Sequence, residues 1–506
     1  MPMTPKIKQA LAWLQAVAPK LQLFSDSRAI ATRGEEKAIF VAYPGDEADG
    51  RHYINQAIQA GAMAVMYEAA GFEWQDNWTV PHLAVPDLKN IAGLIAAAHY
   101  GQPDVDMFTV GVTGTNGKTS CSQWIASMLS RQGSSAAVIG TLGIGVYRDG
   151  NCDRHAHTGY TTPDAVLLQR ELAQLQTEGV AALAIEASSI GLDQGRLNGM
   201  HFDVALFTNF TRDHLDYHGD MAAYEAAKLQ LFEWPNLQHA VINLDDEMGL
   251  SLVRQYQQKL PLIGYTLNNV APEGIPTLAA SAIRSSAAGT VFRIDSPLGS
   301  ARVRTHLVGN FNVSNALGVL GVLLAKGMTW EDAIGAIGSL EPVPGRMQQM
   351  GGRDAPMIVI DYAHTPDALE KALAALRQVA SERKGELWCV FGCGGDRDPG
   401  KRPQMGKVAE AADHVIVTSD NPRSEEAQQI IEQVTGGMNI RPQTIEDRAA
   451  AILQAVKQAG NQDVILLAGK GHEAYQEVKG TKYPFADADH AALALATRAT
   501  MRRDEA

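Results

Sequence analysis

The sequence predicts an α/β protein built from three domains, and three observations carry that expectation. At 506 residues the chain is too long for one core, since domains hold roughly 100 to 200 residues each. Short apolar segments that read as strands alternate with helical stretches, the pattern of a mainly parallel sheet covered by helices. Two seams interrupt that pattern. At Tyr100-Gly101-Gln102-Pro103-Asp104 a helical stretch over 91–100 gives way to the β-rich Phe108-Thr109-Val110-Gly111-Val112, and Gly and Pro are the usual punctuation of such a change. At Glu341-Pro342-Val343-Pro344-Gly345 two prolines forbid a continuous helix before the next strand. The predicted domains are therefore 1–104, 105–341 and 342–506.

The chain opens on Met1-Pro2-Met3-Thr4-Pro5-Lys6, and the apolar positions that follow are broken by Lys8, Gln9, Gln15 and Lys20. This suits an amphipathic helix of a smaller N-terminal α/β domain better than a signal peptide. In the second piece strands are expected at 136–140, 181–187, 204–208 and 240–243. In the third they are expected at 357–361, 387–391, 415–418 and 464–468, separated by Ala-rich helices such as 366–382 and 446–459, which reads as a Rossmann-like domain. Ligands of such sheets gather beyond the carboxyl ends of the strands, so the loops after these segments are where chemistry is expected.

Composition narrows the function. Apolar residues at 45% and charged residues at 20% are near the globular average, so sizeable cores can be buried. Lys plus Arg total 43 against 56 for Asp plus Glu, a net charge of -13. That balance disfavours nucleic acid and anionic membranes as partners and leaves room for a local basic pocket. The four cysteines (Cys121, Cys152, Cys389, Cys393) make no disulfide framework, and the one close pair lacks His partners for zinc. The longest apolar run, 316–325, falls short of the ~20 residues that span a bilayer. A cytoplasmic, monomeric protein without membrane insertion is expected.

The strongest local signal is Val110-Gly111-Val112-Thr113-Gly114-Thr115-Asn116-Gly117-Lys118-Thr119-Ser120, an apolar strand entering a Gly-rich turn and then a helix expected over 121–131. Glycines let backbone N–H groups converge on phosphate, the helix N-terminus adds positive potential, Lys118 bridges phosphates, and the Thr119 hydroxyl can ligate magnesium. The usual phosphate loop would carry Gly at position 112, so only Gly114-x-x-Gly117-Lys118-Thr119 fits. On this basis the central domain reads as P-loop ATPase-like. Glu186 ends the 181–187 strand on the same side of the sheet, where a buried acid points to a metal or catalytic role. Asn209-Phe210-Thr211-Arg212-Asp213-His214-Leu215-Asp216-Tyr217-His218-Gly219 follows the next strand, and its His and Asp side chains read equally as metal ligands or as a solvated loop. Lys228 reads as an ordinary helical lysine with Glu225 as its i,i+3 partner.

Taken together, Thr113-Gly-Thr-Asn-Gly-Lys-Thr119, Arg212-Asp-His-Leu-Asp216, Gly309-Asn-Phe-Asn-Val-Ser-Asn315, Gly345-Arg346 and Asp361-Tyr-Ala-His-Thr-Pro366 resemble, in this order, the Mur ligases of peptidoglycan synthesis. The resemblance covers all three pieces and is strongest to the members that extend UDP-N-acetylmuramoyl-L-alanyl-D-glutamate by a third residue. It implies that ATP phosphorylates the D-glutamyl γ-carboxylate and that the incoming amine attacks the acyl phosphate. Both steps concentrate negative charge, which calls for magnesium and fixed cations.

Carried over by motif, the resemblance places ATP on Gly114, Thr115, Asn116, Gly117, Lys118, Thr119 and Ser120, with Asn312, Asn315, Asp361 and His364 at the adenosine and Arg346 on phosphate. Thr119 and Glu186 would bind one magnesium and His214 would help bind a second, supported by Lys228 as a carbamate in Tyr224-Glu225-Ala226-Ala227-Lys228. The UDP-muramoyl dipeptide would lie on Ser25, Ser27, Asp46, Glu47 and Ala48, and on Tyr160, Thr161, Thr162, Ser188, Gln194 and Arg196. Ile190 departs from the family, which often has His there.

The choice of amino acid is read from Asp420-Asn421-Pro422-Arg423. Meso-diaminopimelate carries one carboxylate more than lysine, and a guanidinium fork is its natural bidentate reader. The family's diaminopimelate version of the motif is likewise D-N-P-R. Arg397 would pair with the other carboxylate, while Gly469 and Glu473 would receive the distal ammonium. The alternatives are the same ligase adding L-lysine, leaving Arg423 unpaired, and a P-loop ATPase or kinase that forms no amide.

Overall fold

The structure is a computed structural model that describes residues 4–17, 21–32, 38–45, 48–156 and 159–504. Asp46 and Glu47 lie outside the described residues.

Three α/β domains follow one another. In the first, strands Gln22–Phe24, Ala38–Ala42, Ala62–Glu68 and His82–Val85 form a parallel sheet in sequence order. Helices Pro5–Val17 and Leu88–His99 bury Ile7, Ala10, Leu14, Leu88 and Ile95 against one face. An aromatic group of Tyr67, Phe72, Trp74 and Trp78 closes the other.

The central sheet has eleven strands among the described residues. Its parallel heart runs Leu262–Thr266, His239–Asn243, Val204–Phe207, Phe108–Thr113, Ala182–Glu186, Ala136–Gly140. Antiparallel strands finish both sides: Gly143–Arg148 and Asn151–Ala156 on one, and Gly289–Ser296 and Gly299–Thr305 beyond Thr277–Ser286 on the other. Helices Lys118–Ser130 and Asn310–Ala325 cover one face, while Ala165–Thr177 and Glu247–Tyr256 cover the other. The 316–325 run is thus a core helix rather than a membrane segment, and among the described residues no helix is long and apolar enough to cross a bilayer.

In the third domain Gln348–Gly351 pairs antiparallel to Met357–Asp361, and parallel strands follow in the order Val464–Ala468, Leu387–Phe391, His414–Val417, Gln443–Thr444. Helices Pro366–Arg383, Lys401–Ala409 and Ala427–Thr435 pack on one face, and Arg448–Gln458 with Asp487–Asp504 on the other. A small hairpin, Tyr475–Val478 with Thr481–Pro484, stands beside this sheet.

Helix starts differ from the sequence reading for local reasons. The phosphate-loop helix begins at Lys118 rather than 121, because Gly117 (φ 89°) turns the chain immediately before it. Lys118, Thr119 and Ser120 therefore supply its first-turn amides, which have no intrahelical acceptors. The helix expected from 446 begins at Arg448, where the Asp447 side chain accepts from Ala450 N.

Candidate active site

The parallel strands of the central sheet end around a cavity of about 1770 Å³ whose wall takes residues from all three domains, from Ser25 and Ser27 through Lys118 and Glu186 to Arg346 and Arg397. At its floor, Gly114 (φ 141°) lies so close to the next strand that a Cβ would sit 1.9 Å from Thr208 Oγ1. Glycine is required there by contact as well as by conformation. Thr208 Oγ1 donates to Asn116 O at 2.6 Å, and Asn209 braces the same residue, accepting from Asn116 N at 2.9 Å and donating to Asn116 O at 3.0 Å. Lys118 folds back over the loop to donate to Gly114 O and Thr115 O at 2.8 and 2.9 Å.

Glu186 is fully buried, as its place in an apolar strand predicts, and is satisfied. It accepts from Thr119 Oγ1 (3.1 Å), Thr141 N (2.8 Å) and Thr141 Oγ1 (3.1 Å). Gly140 makes room for it, since a Cβ there would fall 2.2 Å from Oε1. An anionic oxygen touching the Thr119 hydroxyl beside a phosphate-type loop is a donor set that suits a hard cation. Among the described residues no three His, Cys, Asp or Glu side chains converge tightly enough to hold an ion alone.

Lys228 departs from the reading of its helical spacing alone and lies in the cavity wall beside the phosphate loop. Its ammonium turns inward to donate to Gly114 O at 2.9 Å and lies 4.4 Å from the Tyr224 ring, with 1% of the residue exposed, instead of pairing with Glu225 on the helix surface. Burial, then the charge of Lys118, push its pKa well below the ordinary lysine value, with Asp213 opposing. Burial likewise lowers Lys118. His214, held at φ 53°, has its ring pushed down to about 4 by burial, with Asp213 opposing, although 38% of the side chain is exposed toward the cavity. Asp213 lies 3.5 Å from His214 and 3.6 Å from His364. Burial acts to raise its pKa, but the His364 contact and nearby positive charge hold it well below the carboxylate range.

The third domain closes this floor across the second seam. Arg346 Nη2 donates to Thr119 Oγ1 at 2.9 Å, and its guanidinium stacks 4.5 Å from the Tyr362 ring. Its Nε is buried without an acceptor among the described residues, an orphan donor beside a loop built for anions. Asn116 Nδ2 donates to Asp367 at 3.1 Å, and Arg212 donates to Asp398 at 3.0 Å. Asp361 accepts from Met347 N (2.8 Å), Asn312 Nδ2 donates to Val308 O (2.9 Å), and Asn315 packs its amide where a Cβ on Gly117 would stand.

Toward the first domain, Ser25 Oγ donates to Asp164 Oδ1 (2.7 Å) and Ser27 Oγ to Gln56 (3.1 Å), while Ala48 shares the wall. Thr161 Oγ1 lies 3.2 Å from Thr141 Oγ1, and Thr162 Oγ1 bonds Glu186 O (2.7 Å) and Ser188 Oγ (2.8 Å). Arg196 donates to Gln194 (2.7 Å) and Thr162 O (2.9 Å) below the Tyr160 ring. Ile190 is in the same wall.

The residues expected to choose the amino acid form a separate group at the end of the third sheet. Of these only Arg397 lines the main cavity, half-exposed and 4.0 Å from Asp216. Arg423 (φ 51°) donates to Gly395 O at 2.6 Å and lies 3.6 Å from Glu477. It is thus already partnered, and the expectation that it would stand unpaired without a second carboxylate is corrected: carbonyl and acid neighbours satisfy it. Asn421 Nδ2 donates to Glu473 at 2.8 Å, and a Cβ on Gly469 would meet Asp420 Oδ2 at 2.5 Å. Pro422 sits against Gly395, its carbonyl 1.9 Å from where a Cβ would stand. Sequence reasoning passed over Asn209, Thr141, Asp164 and Lys470; a polar residue one or two positions after an apolar strand marks Asn209, Thr141 and Lys470, whereas Asp164 is the N-cap of the helix Ala165–Thr177.

Fold and site define a three-domain nucleotide-binding α/β protein. The chain belongs to the Mur ligase family: the family's catalytic domain description matches residues 25–100, the middle domain 112–323 and the glutamate ligase domain 345–471. A Janthinobacterium sp. (strain Marseille) protein named UDP-N-acetylmuramoyl-L-alanyl-D-glutamate–2,6-diaminopimelate ligase is 64% identical over 98% of both chains. A Ralstonia nicotianae protein of the same name is 50% identical over 98% of this chain and 97% of its own. A solved structure of a ligase of that name superposes with a TM-score of 0.63 at 36% identity, covering 94% of this chain and 95% of that one. The MurF ligase of Thermotoga maritima in complex with ADP shares the fold, with a TM-score of 0.68 at 16% identity over 96% of this chain and 99% of its own.

Proposed function

We propose that this chain is the ATP-dependent ligase that joins meso-diaminopimelate to the D-glutamyl γ-carboxylate of UDP-N-acetylmuramoyl-L-alanyl-D-glutamate in peptidoglycan precursor synthesis, acting as a cytoplasmic monomer divided at 1–104, 105–341 and 342–506. The observation that carries it is one cavity running from Ser25 past the phosphate loop to Arg397, walled by all three domains. The full-length identity of 64% to a ligase of that name supports it.

Residues 114–120 cradle the ATP phosphates with their amides and Lys118, and Arg346 adds a guanidinium whose Nε has no acceptor among the described residues. Asn312, Asn315, Asp361 and His364 hold the adenosine. Ser25, Ser27, Asp46, Glu47 and Ala48 take the nucleotide-sugar, and Tyr160, Thr161, Thr162, Ser188, Gln194 and Arg196 the dipeptide. The γ-carboxylate attacks the terminal phosphorus of ATP, releasing ADP; the amine then attacks the acyl carbon and phosphate leaves. Lys118 and Arg346 stabilise the negative charge that both steps gather. Thr119, Glu186, His214 and Lys228 as a carbamate would hold magnesium, which when bound neutralises phosphate charge. A lysine whose ammonium form is disfavoured by burial is suited to react with CO2 as the free amine. Arg397, Asp420, Asn421, Pro422, Arg423, Gly469 and Glu473 take the amino acid.

Incubating the protein with ATP, magnesium and the UDP-muramoyl dipeptide, then adding diaminopimelate or lysine, tests this reading by ADP release and product mass. A mass gain with diaminopimelate is expected. ADP release without mass gain would sink the ligase assignment, and equal use of lysine would sink the role of Arg423.

A further inference from the structure

Among the described residues the third domain buries three cations off the main cavity, Arg402, Arg448 and Lys470, and of these Lys470 is the one that hydrogen-bonds side chains expected to take the amino acid. Lys470 is fully buried, yet it lies off the main cavity. Desolvating an ammonium is costly unless its partners compensate, so a lysine in this place calls for a reason. Its Nζ donates to two acceptors, Asn421 Oδ1 and Glu473 Oε2, each at 3.1 Å. Asn421 completes a triangle by donating from Nδ2 to the same Glu473 Oε2 at 2.8 Å, while its Oδ1 also accepts from Glu477 N at 3.0 Å.

This arrangement fixes two orientations. The Asn421 amide cannot flip, because its oxygen faces two donors and its nitrogen faces a carboxylate. Glu473 has both of its protein donors on Oε2, and its Oε1 accepts no hydrogen bond from the described residues. A carboxylate held by one oxygen presents the other in a set direction, which is what recognition of an ammonium requires. The turn carrying Lys470 is itself immobilised. A Cβ on Gly469 would meet Asp420 Oδ2 at 2.5 Å, and one on Gly471 would meet Gly345 O at 2.8 Å, so both flanking positions admit little but glycine.

We infer that Lys470 is a positioning residue for the acceptor amino acid: it pins Asn421 and one oxygen of Glu473 so that the other oxygen is aimed at the substrate's distal ammonium. The inference rests on the proposed function, which assigns Asn421 and Glu473 to diaminopimelate. Lys470 acts through these two side chains and does not touch the reacting atoms.

The test is steady-state kinetics on the full chain with Lys470→Met, Lys470→Arg, Glu473→Gln and the Lys470→Met/Glu473→Gln pair, at saturating ATP and UDP-muramoyl dipeptide. Loss of a charge-assisted hydrogen bond predicts that Lys470→Met raises KM for diaminopimelate about tenfold or more. KM for ATP and for the dipeptide should stay within about twofold, and Lys470→Arg should recover most of the loss. In the Glu473→Gln background, Lys470→Met should add much less than its single effect, because both act on one contact. Equal rises in all three KM values, or fully additive effects of the two changes, would overturn the inference. If Lys470→Met does not fold, Asn421→Leu breaks the same triangle from its other side and must show the same KM split and non-additivity. Absence of a diaminopimelate product with the unaltered protein would overturn the functional assignment and this inference together, whereas normal turnover with additive variants would overturn only the inference.

Discussion

The central domain is joined to its neighbours by two seams of opposite character. At the first, Val166 completes the hydrophobic core of the N-terminal domain. Arg170, its side chain 9% exposed, donates to Leu23 O at 3.1 Å and stacks 4.3 Å from the Phe24 ring. Gly93 lets the helix Leu88–His99 approach so closely that a Cβ would lie 2.0 Å from Asn198 O. At the second seam Val308 and Phe311 provide an apolar contact, but the rest is polar: Arg346 on Thr119, Asn116 on Asp367, and the crossed pairs Arg212 with Asp398 and Arg397 with Asp216. Arg212 and Arg397 are each about half exposed, and such pairs are worth little, about 0–1 kcal/mol. The first seam is therefore built as a fixed joint. The second is held mainly by exposed or single polar contacts, two of which fall on the phosphate loop itself.

The largest expected effect comes from Arg346. Removing it as Arg346→Ala should lower kcat by about 10²- to 10³-fold, while the thermal midpoint hardly moves. A variant with near-normal turnover would mean that the second seam contributes nothing to the chemistry.

Next comes Arg170→Met, which should do the reverse. Losing a buried guanidinium bond and a ring contact should cost about 1–3 kcal/mol of stability in urea unfolding. Single-turnover chemistry of the protein that stays folded should be near normal. A large kcat loss with unchanged stability would erase the contrast between the seams.

That contrast was only partly legible in the sequence. The strand at Met357–Asp361 and the glycine turn before Lys118 were readable, because alternation and glycine spacing are local properties. The position of Glu186 was readable too, since an acid ending an apolar strand costs too much to bury unless a hydroxyl, an amide or a cation meets it. What Arg346 reaches is not local: Thr119 lies 227 residues away in the chain. Lys228 misled for the same reason, its helical spacing offering Glu225 while the fold offered Gly114 O. Arg423 was read as a bare receptor because its neighbours, Gly395 O and Glu477, come from other loops.

A smaller effect should come from reversing the crossed pair. Arg212→Asp or Asp398→Arg alone should slow turnover by about three- to tenfold, with stability changing by less than about 0.5 kcal/mol. The double reversal should restore most of the rate. Failure of that rescue, measured as kcat at low ionic strength, would show that the pair contributes nothing to turnover across the second seam.

The smallest effect concerns Asp104 in the first seam, 1% exposed and accepting from His201 N at 2.6 Å. Burial raises its pKa, so the folded protein holds this proton more tightly than the unfolded chain, and stability is lost as pH rises through that range. Asp104→Asn removes the cost while keeping an acceptor. It should raise stability at pH 7 by less than about 1 kcal/mol and flatten the fall between acidic and neutral pH. Denaturant titrations at two pH values would check both signs.

Among the described residues the sheet of eleven strands has two open rims, and both end in antiparallel strands that carry exposed charge: Arg302 and Arg304 on Gly299–Thr305, and Asp153 on Asn151–Ala156. A rim of unpaired backbone groups is a template for strand addition by another molecule, and charged side chains along it make such stacking unfavourable. The charge at its borders thus works against edge-to-edge stacking of this large β surface, a property independent of the catalytic face.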